Sequence, residues 1–465
     1  MEAIQSLIKA LEAGNYNAAP STLTQGSALM IEDISSVINV TTYKDEHIFL
    51  QREIDVSSSK SVLAQFDRQL SYGTFGGSAR TEGKLGSEQT SDYVRVTYPM
   101  CFYSETRRVT VPSMLVETVD GKKSDERAAS DAAVKLAGDI EFDLFRGRSD
   151  FSNAGVFDAH PAALAVSPNL TGVDVQVRQS DLMRNAQDLM FNSYGSDESI
   201  VIAVGGVLAQ DNVEDAHVRS AMNMGKADVL YVDPLALSHY NKLGFAKERI
   251  VLAGSAQTNT GSDLDKQFVS AGQVKLRSSR FLAAKTSPHR ATRYSPSAPG
   301  TLVGASAAHA SGAVSPFTVG QVYRYTATAN SEDGESTAAA PINVTVVADG
   351  DAITVTIPHT GLPAGVTHFD VYRSAAGASR MAFIGRVKLN DVGSTTVFTD
   401  LGNKAPNTIT GFLLDTDTFE IKELAPFSRL KLAVTELSQP EAFFRFLALG
   451  ARQPRQNVLL DNIAA

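Results

Sequence analysis

Residues 94–119 read VRVTYPMCFYSETRRVTVPSMLVETV, and residues 124–147 read SDERAASDAAVKLAGDIEFDLFRG. Together they decide the fold: an extended strand followed by a long amphipathic rod. In the first stretch Val94, Val96 and Tyr98 alternate within a strand running from Tyr93 to Tyr103. In the second, Ser124 is the expected N-cap, and Asp125 and Glu126 sit in the first turn, where they complement the helix dipole. Ala129, Ala133, Leu136, Ile140 and Leu144 form an apolar stripe. Gly138 is a mild cost inside it, Arg146 closes the last turn and Gly147 supplies the stop. The pattern predicts a helix of about 22 residues, roughly 33 Å long at about 1.5 Å per residue.

Upstream, Ser71 to Asp92 reads SYGTFGGSARTEGKLGSEQTSD, with five glycines and few large hydrophobes. Strand-like segments flank it, Ser61 to Leu70 before and Tyr93 to Tyr103 after. This is the pattern of a long two-stranded arm with a polar tip, and loops of that length serve function or stay disordered. Such an arm cannot bury itself on its own subunit, so its use is to lie on a neighbour. Further upstream, Ile4, Leu7, Ile8 and Leu11 predict a short amphipathic helix over residues 2–13, stopped at Gly14. Loop and short strand are expected from 15 to 60.

Downstream, residues 180–260 alternate helix and strand. Ser180 caps a helix through Tyr194; Ser199 to Val207, Val229 to Val232 and Ile250 to Ala253 read as strands. Asp233-Pro234 opens a helix that Gly244 ends. Residues 286–316 carry four prolines and almost no large hydrophobes, which reads as a linker. From Phe317 to Gly411 the pattern is all-β, with strands expected at 321–329, 342–348, 352–358, 368–374, 381–387 and 395–399. Short strands separated by turn signals argue for a β-sandwich. Phe412-Leu413-Leu414 opens a further strand, Arg429 to Leu437 alternates, Phe443 to Leu449 is a dense apolar strand or helix, and Asn457 to Leu460 ends the fold. The sandwich therefore reads as an insertion into a host domain that continues on both sides.

Composition bounds the function. The chain has 465 residues, 43% hydrophobic and 20% charged, ordinary for a globular protein and enough for two to four domains. Its net charge of −9 excludes a polycation that neutralises phosphates. Cys101 is the single cysteine, so no intramolecular disulfide forms, and a small buried hydrophobe is its expected role. The N-terminus lacks the basic and apolar regions of a secretory signal, and no segment is apolar enough to span a membrane. Removal of a long N-terminal pro-segment is not expected.

The motif search finds no site of chemistry. The eight histidines are scattered without metal-ligand spacing, and neither a phosphate loop nor a nucleophile elbow occurs. Val201 to Gly206 (VIAVGG) lacks the remaining elements of a dinucleotide fingerprint and reads as a strand end. Asp415 and Asp417 share one face of an expected strand, as an acid/base pair would, but solvated surface explains them. Arg107 and Arg108 point to opposite faces, one of them a candidate for a salt bridge to another subunit. Arg146 and Arg148 fit charge complementation at a helix C-terminus. No catalytic, cofactor or metal residues are assigned.

The order of arm, returning strand with Ser-Glu-Thr-Arg-Arg, and long helix ending in an acidic-aromatic turn resembles the major capsid proteins of tailed double-stranded DNA phages, large-myovirus type. The stretches VYRYTATANSEDGESTAAAPINVTV, FDVYRSAAGASRMAFIGRV and TTVFTDLG resemble a fibronectin type III or immunoglobulin-like domain, and the closing segments GFLLDTDTFEIKELAPFSRLKLAVTEL and FFRFLALGARQPRQNVLLDNIA would complete the capsid core. The resemblance implies an α+β fold divided into an N-terminal arm (1–60), an E-loop arm (61–103), a peripheral domain (104–180) with spine helix 124–147, and the first part of an axial domain (181–285). A linker (286–316), the inserted sandwich (317–411) and a return segment (412–465) follow.

The resemblance also implies a structural protein, not an enzyme, that assembles with itself into hexamers and pentamers of an icosahedral head. That head encloses double-stranded DNA without reading its sequence. Portal, scaffolding and decoration proteins are the implied partners, with no cofactor and no membrane, in a virion assembled in the host cytoplasm. Tyr72, Phe75, Gly76, Gly77, Arg80, Lys84, Arg107 and Arg108 are the candidate inter-subunit contacts. Some members of that family crosslink a lysine to an asparagine; Lys84 lies on the arm, but no asparagine partner or carboxylate is identified, and crosslinking is not part of the expectation. The alternatives are an encapsulin-like compartment, a surface binding module and an enzyme with an accessory sandwich.

Overall fold

The computed structural model describes residues 45–73, 79–86, 88–115, 123–147, 170–178, 200–244, 266–270, 272–282, 298–308, 317–331, 334–362, 365–390, 393–402, 404–434 and 437–464. The helices expected at 2–13 and 180–194, and the strand at 250–253, lie outside the described residues.

In chain order the elements are α1 (Leu50–Glu53), β1 (Asp55–Ser58), β2 (Leu63–Ser71), β3 (Asp92–Pro99), β4 (Cys101–Thr110), α2 (Val111–Leu115) and α3 (Ser124–Arg146). Then come β5 (Val201–Ala203), α4 (Gln210–Met222), β6 (Val229–Val232), α5 (Pro234–Gly244), β7 (Lys266–Val269) and β8 (Gly272–Ser278). An all-β run follows: β9 (Val303–Ala308), β10 (Val322–Ser331), β11 (Gly334–Glu335), β12 (Ile342–Thr345), β13 (Asp351–Pro358), β14 (Val366–Ser374), β15 (Met381–Lys388) and β16 (Thr395–Asp400). The chain closes with β17 (Thr408–Leu414), β18 (Phe419–Lys431), β19 (Ser438–Ala451) and β20 (Val458–Ala464). The fold is α+β.

Helix α3 confirms the rod, with Ala132, Leu136, Gly138, Ile140, Leu144 and Phe145 buried. Two details differ from the sequence reading. Ser124 is the first helical residue and not the cap; its hydroxyl donates to the Ser113 carbonyl at 2.6 Å, tying the helix start to α2. Gly147 ends the helix with φ −58°, so a left-handed turn is not what requires it. A side chain there would sit 2.3 Å from the Leu170 carbonyl oxygen, so glycine is demanded by the close return of the chain.

Helix α3 backs a four-stranded sheet ordered β1-β18-β19-β4. The strand expected from Tyr93 to Tyr103 breaks after Pro99: β3 stays in the arm and β4 joins β19, from Ser438↔Thr110 to Leu447↔Cys101. Proline lacks the N–H a continuing ladder needs, so the break falls there. A second sheet is ordered β5-β20-β17-β6-β8-β7. Its strand β5 covers only Val201–Ala203, shorter than expected, and α4 was not anticipated because its stripe of Val213, Ala216, His217 and Ser220 is half polar. Phe443 to Leu449 is strand, within β19. One continuous core joins the two sheets, and Phe145 packs its ring against Tyr231 at 5.4 Å and Phe412 at 5.3 Å.

The all-β run forms two further sheets, β16-β13-β9 and β11-β10-β14-β15 with β12 on β10, around a separate core that includes Tyr325, Ile353, Val355, Phe369 and Val371. All six expected strands are present. The borders move, however: β9 falls within the stretch read as linker, and β17 starts before Gly411 in the six-stranded sheet. The small, proline-flanked residues of β9 hid its strand character. Gly304 lies where a side chain would meet Val344 at 2.4 Å, which explains a glycine in that strand.

Ahead of β1, residues 45–54 cross α3. Glu141, fully buried on α3, accepts the backbone N–H groups of Phe49 (3.1 Å), Leu50 (2.8 Å) and Gln51 (3.0 Å). Burial pushes the Glu141 carboxyl up to about 7, against the lowering effect of those N–H donors. Its native value lies above that of an exposed glutamate, so this group adds stability at low pH that is lost as pH rises through about 7. The unaltered chain should therefore lose, relative to Glu141→Gln, on the order of 3 kcal/mol between about pH 5 and pH 8, because each tenfold difference in proton affinity is worth about 1.4 kcal/mol. Denaturant titrations of both proteins at those pH values check it.

Candidate assembly interface

The β2–β3 arm is a two-stranded antiparallel ribbon, in register from Leu63↔Pro99 to Ser71↔Asp92. It meets the body through a small socket in which Ala64, Phe66, Tyr98 and Met100 pack on Ala448, with Leu424 at the margin. Phe66 and Tyr98 meet edge to face at 6.1 Å, and the Lys422 ammonium lies 5.7 Å from the centre of the Phe66 ring. The floor of the socket is Gly450, where a Cβ would stand only 1.9 Å from the Phe66 ring. Beyond the socket the ribbon carries an exposed Asp67–Arg95 ion pair at 2.7 Å, in which the Arg95 hydrogen bond holds the Asp67 carboxyl below its ordinary range.

Toward its tip the arm presents large apolar side chains to solvent: Tyr72 is 86% exposed, Leu85 96% and Tyr93 67%. Exposed apolar groups on a narrow ribbon mark a contact surface. Arg80 and Lys84 are exposed beside them, in a turn closed by the Lys84 N–H on the Thr81 carbonyl with Gly83 at φ +84°. Phe75, Gly76 and Gly77 lie outside the described residues.

Arg107 and Arg108 sit elsewhere, on β4 opposite Glu441 and Pro440. That end of β19 is roughly 25 Å from Ala448 at about 3.3 Å per residue, so the structure splits the candidate residues into two stations. Arg107 is engaged within its own subunit, 2.8 Å from Glu105, which Lys135 also meets at 2.8 Å. Arg108 is exposed on the opposite face.

Around this second station lies an apolar surface that the sequence reading missed: Leu115 is 82% exposed, Leu430 53%, Val434 62% and Leu437 79%. The alternation from Arg429 to Leu437 covers Leu430, Val434 and Leu437, and Leu115 ends helix α2, but periodicity does not reveal that one face lacks a cover within the subunit. On the same sheet Phe102, Phe444 and Phe446 form a ring cluster, with centroids 4.9 and 5.1 Å apart.

Cys101 is buried, and burial raises its thiol to about 12, consistent with a core residue. Asp415 and Asp417 are not on a strand: Asp415 precedes and Asp417 lies within a 3-10 turn at Thr416–Thr418, and both line a polar cleft of about 520 Å³ with Lys226, Asp228, Lys275 and Arg452. Burial raises the Asp415 carboxyl, which accepts the Lys226 N–H at 3.3 Å. The cleft balances three cations with three carboxylates. Among the described residues no cluster of His, Cys, Asp and Glu could hold a metal ion, and no described helix is long and apolar enough to cross a membrane.

No family model matches the chain. Among curated proteins it is similar to the major capsid protein of Staphylococcus phage S25-3, 22% identical over 470 residues covering 99% of this chain and 95% of the relative. It is likewise similar to a putative major capsid protein of Enterococcus phage phiEF24C, 24% identical with 99% and 95% covered. Among solved structures, the capsid of a native GTA particle aligns over 97% of this chain and all of the other, at 12% identity and TM-score 0.45. By its curated relatives the chain falls among the structural proteins that build shells. It is a distant homologue, along nearly its whole length, of phage major capsid proteins, and its role is that of a capsid shell subunit.

The socket makes a direct prediction. Gly450→Ala should displace Phe66 and cost about 1–3 kcal/mol, typical of overpacking. Phe66→Leu in the same chain should recover part of that loss. Urea denaturation, with limited proteolysis of the arm, checks both.

Proposed function

We propose that the chain assembles with itself into hexamers and pentamers that close an icosahedral head around packaged double-stranded DNA. The arm then lies on a neighbouring subunit, and the β9–β16 sandwich projects from the shell as an inserted immunoglobulin-like domain. The observation that carries this reading is the arm itself: Tyr72, Leu85 and Tyr93 are exposed on a ribbon whose apolar hold on its own subunit is the Phe66–Tyr98 socket. Closed assemblies are built from repeated interfaces, and obligate ones commonly bury more than about 2,000 Å². A ribbon reaching onto the next copy supplies such area.

Net charge of −9 suits a container that encloses DNA without holding it. Arg108 and the apolar end of the β18–β19 hairpin are the second contact station, and portal, scaffolding and decoration proteins are the partners this role calls for. Assembly in the host cytoplasm follows from the same role. The relatives are phage proteins, which favours this reading over an encapsulin-like compartment.

Ser71 and Asp92 pair across the ribbon, so residues 72–91 can be replaced by a tight Asn-Gly turn without disturbing the socket. That variant should fold with unchanged circular dichroism but form no closed shells by negative-stain microscopy and light scattering. Complete particles from it would refute the arm's role. Replacing residues 300–404 by a short linker should keep assembly, because the cut spares β17; aggregation of that variant would make the sandwich part of the shell contact.

A further inference from the structure

Residues 45–58 reach four elements of the body outside the sandwich: α3, β8, β18 and β19. On α3, Glu141 takes three of their N–H groups, and the Gln51 side chain donates to the Ala137 carbonyl at 2.8 Å. On β19, Arg445 donates to the Gln51 amide oxygen at 2.6 Å. On β18, β1 pairs in parallel from Asp55↔Glu420 to Ser58↔Glu423, and the Ser57 hydroxyl bonds to Glu420. On β8, Arg277 lies 3.6 Å from Glu53 and 6.0 Å from the centre of the Phe49 ring. Leu50 and Ile54 are buried in the core that also holds Leu276 and Tyr231.

The geometry of α3 gives these contacts a purpose. Its C-terminal end is fixed in the axial core, where Phe145 packs on Tyr231 and Phe412 and Arg146 donates to the Leu282 carbonyl at 2.6 Å. Its N-terminal half belongs to the four-stranded sheet, through Lys135–Glu105 at 2.8 Å and Arg429–Asp125 at 3.4 Å. A rod anchored at one end can still tilt about that end. The contacts at Ala137 and Glu141, about one to two turns away, remove that freedom.

We infer that residues 45–58 form a staple that sets the tilt of the α3–β18–β19 body against the six-stranded sheet, with Glu141 as its positioning residue. This rests on the reading of the chain as a shell subunit, because a closed shell requires one sequence to sit at differently curved positions. The staple is built for a tunable setting. Among the described residues Glu141 is held by backbone donors, with no cation beside it; Glu53 on the staple is the like charge near it, Arg277 and Lys275 face Glu53 from β8, and Arg445 faces Gln51 from β19. The fastening to α3 therefore rests on the three N–H bonds to Glu141 and the Gln51–Ala137 bond, while the spaced Glu53–Arg277 pair ties the same turn to β8.

The test uses the full chain with spin labels at Ser130→Cys on α3 and Lys242→Cys on α5, both exposed, while the native Cys101 is buried. The unaltered staple should give one narrow distance distribution. Glu141→Ala should broaden it and raise hydrogen exchange at the Phe49, Leu50 and Gln51 amides at least tenfold, leaving exchange within α3 unchanged. Glu141→Gln, which keeps one acceptor oxygen, should fall between. Glu53→Gln, which removes the charge facing Arg277 and Lys275 but keeps the Glu141 hydrogen bonds, carries the test if Glu141→Ala does not fold, and should broaden the distances without exposing those amides.

Particles from the Glu141→Ala chain should be heterogeneous in size by microscopy. Unchanged distance distributions, or particles as uniform as the parent's, would overturn the inference. Failure of the unaltered chain to form shells would overturn the shell reading instead, and the distance and exchange measurements would still decide the staple.

Discussion

The pairing of residues 408–464 into two sheets at once is the constraint on which the rest of the structure depends. Strands β17 and β20 fill the middle of the six-stranded sheet, and β18 and β19 fill the middle of the four-stranded one. Neither sheet can close until the end of the chain arrives, and once there it locks both. Gln176 fastens the junction: its amide donates to the Thr171 and Leu449 carbonyls and accepts the Ala451 N–H at 2.7 Å. Beside it Arg178 bridges Asp174 and Asp461. Burial works against its charge, but the two carboxylates outweigh that and hold it on, while Arg178 keeps Asp461 ionised. Removing one partner from such a pair would strand an uncompensated charge in the interior.

That shared frame accounts for the rest of the design. The arm protrudes from it because its apolar purchase is the space above Gly450, and the side chains that would stabilise a free protein, Tyr72, Leu85 and Tyr93, are turned to the outside. The sandwich stands apart on its own core, joined to the frame at residues 401–408. There Arg373, buried between Asp400 and the Lys404 carbonyl and lying 4.9 Å from the Phe317 ring centre, fixes the exit, while Asn462 accepts the Ala405 N–H. An ion pair this well enclosed, with its geometry completed by a carbonyl and an aromatic face, specifies one orientation of the connecting chain.

The Glu420 carboxylate shows how charge is handled at the seam between staple and hairpin. Burial would raise it, but Ser57, Lys422 and Arg452 together hold it down to about 2. Glu141, held by backbone donors, sits at about 7. The two glutamates lie at opposite ends of one staple, one fastened across the ordinary pH range and one responsive near neutrality. Two things separate them: Glu141 lies deeper in the protein with backbone donors beside it, whereas Glu420 is less deeply enclosed and has two cations against it.

Much of this was legible in the chain. The stripe of α3 and the alternation in the sandwich announced themselves, because a helix or a strand with one buried face must repeat its apolar residues at the period of its own geometry. The arm was legible as well, from glycines and polar residues between two strand-like runs. Strand β9 and helix α4 were not: their residues are small or half polar, and only pairing with β13 or packing against β20 makes them regular. The split of β3 from β4, the apolar end of the hairpin and the three N–H groups gathered on Glu141 were likewise invisible, since each joins residues far apart in the chain. Sequence determined which segments would be rods, strands and arms, because those depend on neighbours a few residues away. Tertiary structure alone decided which strands share a sheet, which apolar faces are left uncovered and where a buried carboxylate finds its donors, because these depend on long-range closure that local periodicity does not encode.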